Sequence, residues 1–202
     1  MEPHPNRAFS EMHRAAAHRL AQRRPAEVAR CAGVLWDEAA QVFRLDTLGR
    51  PVAVRYPQGD AAPPLDGWHH LILLHYLALA DGAPLTGQLL PMGRLPGGMV
   101  RGGGFDRQFE QAARRLAACR PEALFEACAA LGGERIAANA DVCCVFPFLP
   151  RYPMTLKLWF PDDELPGSGR LFLDGSAAHY LSVEDAVTAG GLLQEALLAA
   201  CL

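Results

Sequence analysis

The side chains most able to do chemistry in this chain lie between residues 141 and 185, where acids, cations, a tryptophan and a histidine occur close together. A carboxylate can donate or accept a proton in catalysis, and a cation can hold an anionic substrate or ligand. The candidates for catalysis are Asp174 and Glu164. The candidates for ligand binding are Arg151, Lys157, Trp159, Asp174 and His179.

A predicted hairpin decides which of these side chains meet. Alternating apolar residues predict two strands joined by the turn PDDELPGSG. A register that sets Phe160 opposite Leu171 places Lys157 opposite Asp174, so that opposite charges face each other. Arg151 lies in the turn before these strands and is expected at the same end. The sequence therefore predicts an anion-binding cluster at this end, which His179 can join; a structural ion pair is the alternative.

The acidic run Asp162-Asp163-Glu164 belongs to the turn, at the other end of the predicted hairpin. Because strands rise about 3.4 Å per residue, roughly 10 Å or more separates this run from Asp174. A single catalytic site that uses both is therefore disfavoured. The simpler interpretation of the acidic run is a solvated turn.

Histidine and cysteine spacings do not predict a metal site. His69, His70 and His75 share one predicted helix, but metal ligands on one helical face usually stand three or four residues apart. His75 is instead predicted to lie in the core with hydrogen-bonded ring nitrogens. The six cysteines show no C-x-x-C spacing, so neither zinc nor an iron-sulfur cluster is expected.

Two glycine clusters, Gly97-Gly98 and Gly102-Gly103-Gly104, precede a predicted helix. Backbone N–H groups at such a position can hold a phosphate. Neither cluster fits a known phosphate-binding motif, so a flexible surface loop is the main prediction. A lid over a pocket, with Arg94 and Arg101 as anion contacts, is the alternative.

Both helices and strands are predicted to position these residues. Helical periodicity predicts helices over residues 6–24, 25–33, 66–80, 105–119 and 121–131, and a last helix that Ser182 and Asp185 cap. Period-two patterns predict a three-stranded meander within residues 34–56 and three antiparallel strands over residues 142–148, 155–160 and 170–174. In the last helix, the pair Gly190-Gly191 either permits a close backbone approach or weakens the helix.

We therefore predict an α+β fold, in which a mainly antiparallel sheet packs against a central buried helix and several flanking helices. The sheet consists of the meander and the C-terminal three-strand unit, and the central helix is residues 66–80. At 202 residues the chain is expected to form a single domain over 1–202. Residues 1–24 are expected to form a loosely packed N-terminal helix.

Composition excludes some classes of function. The formal net charge of −3 argues against a nucleic-acid-binding protein, which needs a basic surface. The longest apolar run, residues 71–80, is shorter than the span of about 20 residues that a membrane helix requires. The charged, proline-broken N-terminus does not resemble a signal peptide, so we expect a cytoplasmic protein without membrane contact.

The segments LILLHYLALADGAPLTGQLLP, LPGG and LPRYPMTLKLWFPDDELPGSGRLFLDGSAAHYLSVED resemble an uncharacterised bacterial and archaeal family, a domain of unknown function. Some of its members are described as iron-sulfur or corrinoid-associated proteins. The resemblance covers residues 66–185, and the family pattern falls here on Pro150, Pro153, Trp159, Asp163, Glu164, Asp174 and Tyr180. The chain reads Leu171-Phe172-Leu173-Asp174 where the family has Leu-Phe-Asp. The resemblance implies a recurrent domain, and no cluster, because the cysteine-rich segments are missing here.

These observations lead to three hypotheses about function. The first is an accessory module that binds a small anionic ligand or a protein partner, because strong catalytic motifs are lacking. The second is an acid/base enzyme that uses Asp174 or Glu164, with Arg151 or Lys157 holding an anionic substrate. The third is a structural homo-oligomer. The sequence does not identify a cofactor.

Overall fold

A computed structural model describes residues 7–201 of the 202-residue chain. Its α-helices are α1 Arg7–Ala21, α2 Pro25–Ala32, α3 Gly67–Leu79, α4 Arg101–Ala117, α5 Pro121–Ala130 and α6 Val183–Cys201. Short 3-10 helices lie at Met92–Arg94 and Ala177–His179. The central, C-terminal and intervening helices that the periodicity predicts are therefore present, with shifted ends.

The strands of this part of the chain form two antiparallel sheets. The four-stranded sheet has the order β1-β2-β3-β4, with β1 Leu35–Asp37, β2 Val42–Thr47, β3 Arg50–Arg55 and β4 Ala61–Ala62. The five-stranded sheet has the order β5-β9-β8-β7-β6, with β5 Leu89–Pro91, β6 Glu134–Arg135, β7 Val142–Leu149, β8 Tyr152–Trp159 and β9 Ser168–Asp174. The predicted α+β class is confirmed. The sequence missed β4, β5 and β6, which are only two or three residues long.

The tip of the β2–β3 hairpin packs against the end of α5. Leu48 and Gly49 form its two-residue turn and have positive φ angles of 46° and 70°. Such a turn matches the right-handed twist of the paired strands. A Cβ atom on Gly49 would lie 2.9 Å from the carbonyl oxygen of Ala130, so the tip requires a glycine there. The hairpin is thereby held beside α5, with the side chain of Leu48 buried.

Helix α3 is the central helix, as predicted, and its ends are bound by side chains. The Asp66 carboxylate accepts a hydrogen bond of 3.0 Å from Trp68 N, which caps the first turn. At the other end, Arg23 donates to the carbonyl oxygens of Leu77, Ala78 and Ala80 at 3.2, 3.2 and 2.8 Å. These carbonyls have no partner within a helix, so the arginine satisfies them.

Helix α1 packs against α3. Its buried residues Ala16 and Leu20 belong to the same apolar core as the buried face of α3. Near its start, the ring of Phe9 meets the edge of Trp68, with ring centroids 4.9 Å apart. The predicted helix over residues 6–24 thus ends earlier, at Ala21, and residues 1–6 lie outside the part of the chain that the structure describes.

The predicted glycine-rich loop is wrong for its second glycine cluster, whereas Gly97 and Gly98 lie in a turn. Gly102, Gly103 and Gly104 form the first turn of α4, and the preceding segment contains β5 and a 3-10 helix. The reason is close backbone packing: a Cβ atom on Gly102 would lie 2.3 Å from the carbonyl oxygen of Met92. Gly102 is thus required because two backbones meet there, whereas a Cβ atom on Gly103 or Gly104 would meet no backbone of another element within 4 Å.

The predicted register of the β8–β9 hairpin is also wrong. Lys157 pairs with Arg170 and Trp159 pairs with Ser168, so Lys157 does not face Asp174. The error arises at Gly169, which looks like a turn residue but lies in β9 beneath α4. A Cβ atom there would lie 2.9 Å from the Ala113 Cβ, and glycine in a strand often marks such an approach.

The register shift is an even number of residues, so the faces of the hairpin stay as predicted. Side chains in a strand alternate between the two faces of a sheet, and only an odd shift exchanges them. The core-facing leucines are all buried: Leu156, Leu158, Leu171 and Leu173.

The two adjacent glycines of α6 have different surroundings. A Cβ atom on Gly190 would lie 2.6 Å from Met92 Cε and 2.6 Å from Phe105 Cζ, both of which belong to buried side chains. A Cβ atom on Gly191 would meet nothing within 4 Å. Of the two predicted roles of this pair, close approach therefore applies to Gly190, while Gly191 leaves open space beside the helix.

This difference predicts opposite effects of two alanine substitutions. Gly191→Ala is expected to raise the free energy of unfolding by about 0.5–1 kcal/mol, because alanine has the higher helix propensity. Gly190→Ala is expected to lower it by about 1 kcal/mol, because the overpacking of Met92 and Phe105 outweighs the same gain. Urea unfolding of both variants measures the effect, and a shift in the same direction for both would contradict these surroundings.

Candidate functional site

The structure does not bring the five predicted binding residues together in one cluster. Two of them instead hold the segment that leaves α3. Arg151 donates from Nη1 to the carbonyl oxygen of Gly82 at 3.3 Å. His179 Nδ1 lies 2.7 Å from Asp81 Oδ2, and both side chains are about half exposed. These two residues therefore bind neighbouring positions of the chain between α3 and β5.

Asp174 holds the same connection closer to β5. Its carboxylate accepts hydrogen bonds from the backbone N–H and hydroxyl of Thr86 at 2.9 and 3.0 Å and from Gly87 N at 2.7 Å. The N–H and hydroxyl of Ser176 donate to it at 2.9 and 2.7 Å. The segment has no regular structure there, so its backbone groups need side-chain partners. Asp174 provides them.

These contacts disfavour Asp174 as a catalytic acid or base. Burial raises the pKa of Asp174, but the N–H and hydroxyl donors outweigh it and lower the pKa to about 2. The carboxylate is therefore ionised, with its oxygen atoms engaged, at neutral pH. Glu164 is exposed in the turn before β9, and the length of β9 places the two carboxylates roughly 20 Å apart. Asp174 and Glu164, the two candidates for a catalytic acid or base, therefore do not belong to one site.

Lys157 and Trp159 lie elsewhere, on the outer face of the five-stranded sheet. They stand two positions apart on β8, so their side chains leave the same side. Both are partly exposed. The structure therefore separates them from Arg151, Asp174 and His179, which surround the connection between α3 and β5.

A cleft between α3 and α6 is a candidate site that none of the predicted residues identified. It has a volume of about 660 Å³ and lies beside the tip of the β2–β3 hairpin. We call it the α3–α6 cleft. Its walls are mainly apolar, and the residues on which its chemistry depends are Arg50, Asp66, Trp68, His69, Gly191 and Glu195.

His69 is the titratable group most firmly held in the α3–α6 cleft. Its Nε2 lies 2.7 Å from Oγ1 of the buried Thr47, and its ring stacks on Phe148 at a centroid distance of 5.5 Å. Burial lowers the pKa of His69, and the nearby carboxylate of Asp66 opposes this only in part. The imidazole is therefore uncharged at neutral pH, so it can form hydrogen bonds but adds no positive charge to the cleft.

Trp68 stands between this cleft and a second hollow. The second hollow, of about 550 Å³, lies between α6 and the start of α4 and shares Trp68 and Thr188 with the first. Trp68 is 47% exposed although the middle of its helix is deeply buried. A large aromatic group that remains exposed beside concave surfaces is typical of a binding contact.

A carboxylate at the start of α6 ties this helix to α3. Asp185 Oδ1 lies 2.7 Å from His75 Nδ1, and Asp185 Oδ2 accepts from the hydroxyl of Ser182 at 2.9 Å. Asp185 N in turn donates to Ser182 Oγ at 3.2 Å, which confirms the predicted capping arrangement. Burial raises the pKa of Asp185, but His75 and Ser182 outweigh it and hold the pKa below its ordinary value.

The sequence offered little sign of the α3–α6 cleft. Periodicity placed Trp68 on the apolar stripe of the central helix, yet this residue is half exposed. The only signal was Gly191, because a glycine inside a helix costs stability and so needs a reason. The prediction that His75 is hydrogen-bonded is correct, but the sequence did not identify Asp185 as its partner.

In residues 7–201, histidine, cysteine, aspartate and glutamate side chains do not gather in groups of three or more that could hold a metal ion. Within the same range, each helix is too short or too polar to cross a bilayer.

The pH dependence of stability tests the role of the Asp174 carboxylate at the connection between α3 and β5. Because the folded-state pKa is lowered, its contribution of about 2 kcal/mol is present above pH 4 and disappears as the pH falls toward 2. Asp174→Asn is expected to lower the free energy of unfolding by about that amount at pH 7, and by much less near pH 2.

Urea unfolding at both pH values measures this difference. Asp162→Asn is the control, because Asp162 also accepts backbone N–H groups but is exposed, and a change within about 0.5 kcal/mol is expected. An equal loss for Asp174→Asn at both pH values would show that its charge contributes nothing.

Comparison with known proteins identifies a family and nothing closer. The model of a domain of unknown function, DUF3786, matches residues 24–196, which include α2 and most of α6. Neither curated proteins nor solved structures gave a match to the chain. The matched range contains the resemblance found over residues 66–185. Because it covers most of the 202 residues, the chain belongs to the DUF3786 family, a domain of unknown function.

Proposed function

We propose that this protein is a binding module whose α3–α6 cleft takes up a small molecule with an apolar body and a hydrogen-bond-donating or cationic group. The observation that carries this proposal is a cleft of about 660 Å³ with mainly apolar walls and a few polar groups. Small-molecule sites in proteins commonly have this size and composition.

The walls of the cleft support an apolar ligand body. Apolar residues from several elements surround it, including Leu48 from the hairpin turn, Leu131 after α5 and Leu192 on α6. Gly191 exposes the helix surface there, since a side chain at this position would project into open space. The ring of Trp68 adds a flat apolar surface at the border with the second hollow.

The charges of the cleft favour a donor or cationic group on the ligand. Two carboxylates, those of Asp66 and Glu195, and one guanidinium, that of Arg50, line the cleft. His69 adds no positive charge, because burial lowers its pKa. An aromatic or aliphatic amine matches this balance better than the anion predicted from the sequence, and Trp68 can also contact a cation through its ring.

The two other functional hypotheses remain predictions. An acid/base enzyme built on Asp174 or Glu164 is disfavoured by the contacts of Asp174 and by the distance between the two residues. A structural homo-oligomer is tested by light scattering. The cytoplasmic location and the association with metal-cofactor proteins likewise rest on the sequence alone.

Filling the α3–α6 cleft is expected to weaken ligand binding. Gly191→Leu places a large side chain in open space, so the helix is not disturbed while the cleft is occupied. Saturation-transfer NMR with a library of small aromatic and aliphatic amines is expected to detect binding to the natural protein. For Gly191→Leu, the affinity of the same compounds should fall by about tenfold or more.

A matched control is available on α4. Gly104 is also a helical glycine with nothing within 4 Å of an added Cβ, but it lines the second hollow. Gly104→Leu should therefore leave amine binding unchanged, and thermal melting of both variants checks the fold. Amines that bind Gly191→Leu as well as the natural protein would refute the α3–α6 cleft as the ligand site.

A further inference from the structure

The outer face of the five-stranded sheet carries a pair of charges that sheet stability does not explain. Lys157 on β8 lies directly opposite Arg170 on β9. Like charges at opposite positions destabilise a strand pair. Where a chain breaks a local rule without a structural gain, a functional reason is expected.

The repulsion between Lys157 and Arg170 is only weakly offset by neighbouring groups. Glu110 Oε1 on α4 lies 3.8 Å from Arg170 Nη2, and both side chains are at least half exposed. An exposed ion pair of this length contributes little to stability. Lys157 Nζ lies 5.7 Å from the ring centroid of Phe172, a contact that leaves its charge available for another partner.

A hollow of about 500 Å³ adjoins these cations and is lined by aromatic rings and arginines. Trp159 from β8 and Phe172 from β9 supply the rings. Arg170 and Arg114 supply the guanidinium groups, and Glu110 is the acid among the lining residues. Arg114 is exposed, and within residues 7–201 its side chain has neither an ion-pair nor a hydrogen-bond partner.

A glycine in β9 brings Arg114 to this place. Gly169 lies under α4, and a Cβ atom there would come within 2.9 Å of the Cβ of Ala113, the residue before Arg114. The close packing sets α4 against the β9 edge. The strand β5 pairs with β9 only from Phe172 to Asp174, so it does not cover this part of the edge.

We propose that this hollow binds a small aromatic oxyanion, a flat ring that carries a phosphate or carboxylate group. The ring stacks on Trp159, because aromatic faces and planar heterocycles attract each other. Arg114 and Arg170 hold the oxyanion by charge-assisted hydrogen bonds, for which the planar guanidinium is well suited. Lys157 adds a third positive charge beside the site.

The surroundings of the hollow limit the ligand to a small one. The turn that follows Trp159 carries the acids Asp162, Asp163 and Glu164, which repel a long polyanion. The net charge of −3 acts in the same direction. A mononucleotide-sized compound fits this setting, whereas a nucleic acid does not.

This site differs from the cluster that the sequence predicts, although it keeps two of its members. Trp159 remains a binding residue, and Lys157 lies beside the site. Arg170 and Arg114 replace Arg151 and Asp174, which are engaged at the α3–β5 connection. The site is also separate from the α3–α6 cleft, so the proposal does not depend on the function assigned to that cleft.

The single lysine of the chain allows a direct test. The full chain is acetylated with an N-hydroxysuccinimide ester in the presence of adenosine monophosphate, adenosine or inorganic phosphate. Modification of Lys157 is followed by peptide mass spectrometry, with the α-amino group as the internal reference. Adenosine monophosphate is expected to slow acetylation of Lys157 but not of the reference, and more strongly than adenosine or phosphate at equal concentration.

Matched variants identify the residues involved. In calorimetric titration with adenosine monophosphate, Arg114→Gln, Arg170→Gln and Trp159→Leu should each weaken binding by about tenfold or more. Arg115→Gln is the control, because Arg115 is the exposed neighbour of Arg114 and does not line the hollow. Gly191→Leu should likewise bind as the natural protein does.

Three results would overturn the proposal. The first is an unchanged rate of Lys157 acetylation with adenosine monophosphate at millimolar concentration. The second is equal binding by Arg114→Gln and Arg115→Gln. The third is equal protection by inorganic phosphate and adenosine monophosphate, which would mean that the aromatic ring contributes nothing.

Discussion

The contact between Asp185 and His75 is the interaction on which the arrangement of the helices depends. Asp185 caps α6 through Ser182 and binds the central helix α3 through the His75 ring. Helix α6 also packs against α4 and α5 and forms one wall of both the α3–α6 cleft and the second hollow. A buried carboxylate needs such partners, because an unpaired charge in the core is strongly destabilising.

The connection between α3 and β5 follows the same physical rule. Its backbone has no regular secondary structure and is mostly exposed, so contacts with side chains hold it in place. Arg151 and Asp174 bind backbone groups of this segment, while His179 binds the side chain of Asp81. Residues that look catalytic in sequence, because they are charged and lie near turns, are thus accounted for by the structure of one irregular segment.

Local patterns in the sequence were sufficient for the main elements and for the burial of their faces. Alternation along β8 and β9 placed the leucines correctly, because an even register error preserves the faces. The same patterns could not determine which residues lie opposite each other. That depended on Gly169, whose role is set by the approach of α4, a tertiary contact between residues far apart in the chain.

The candidate sites were less predictable for the same reason. The α3–α6 cleft is assembled from the β2–β3 turn, the start of α3 and one side of α6, so no continuous segment carries its pattern. Trp68 has the apolar character of a core residue, and only the packing of its neighbours leaves it half exposed. For the outer sheet face, Lys157 and Trp159 were identified, but their true neighbours follow from the corrected register.

The most direct test of the central claim, that the α3–α6 cleft is a ligand site, is a crystal structure of the natural protein soaked with a small aromatic amine. Density for the amine is expected against Gly191 and the ring of Trp68, with its nitrogen directed toward Asp66 or Glu195. Density confined to other surfaces, with the cleft closed by its own side chains, would contradict it.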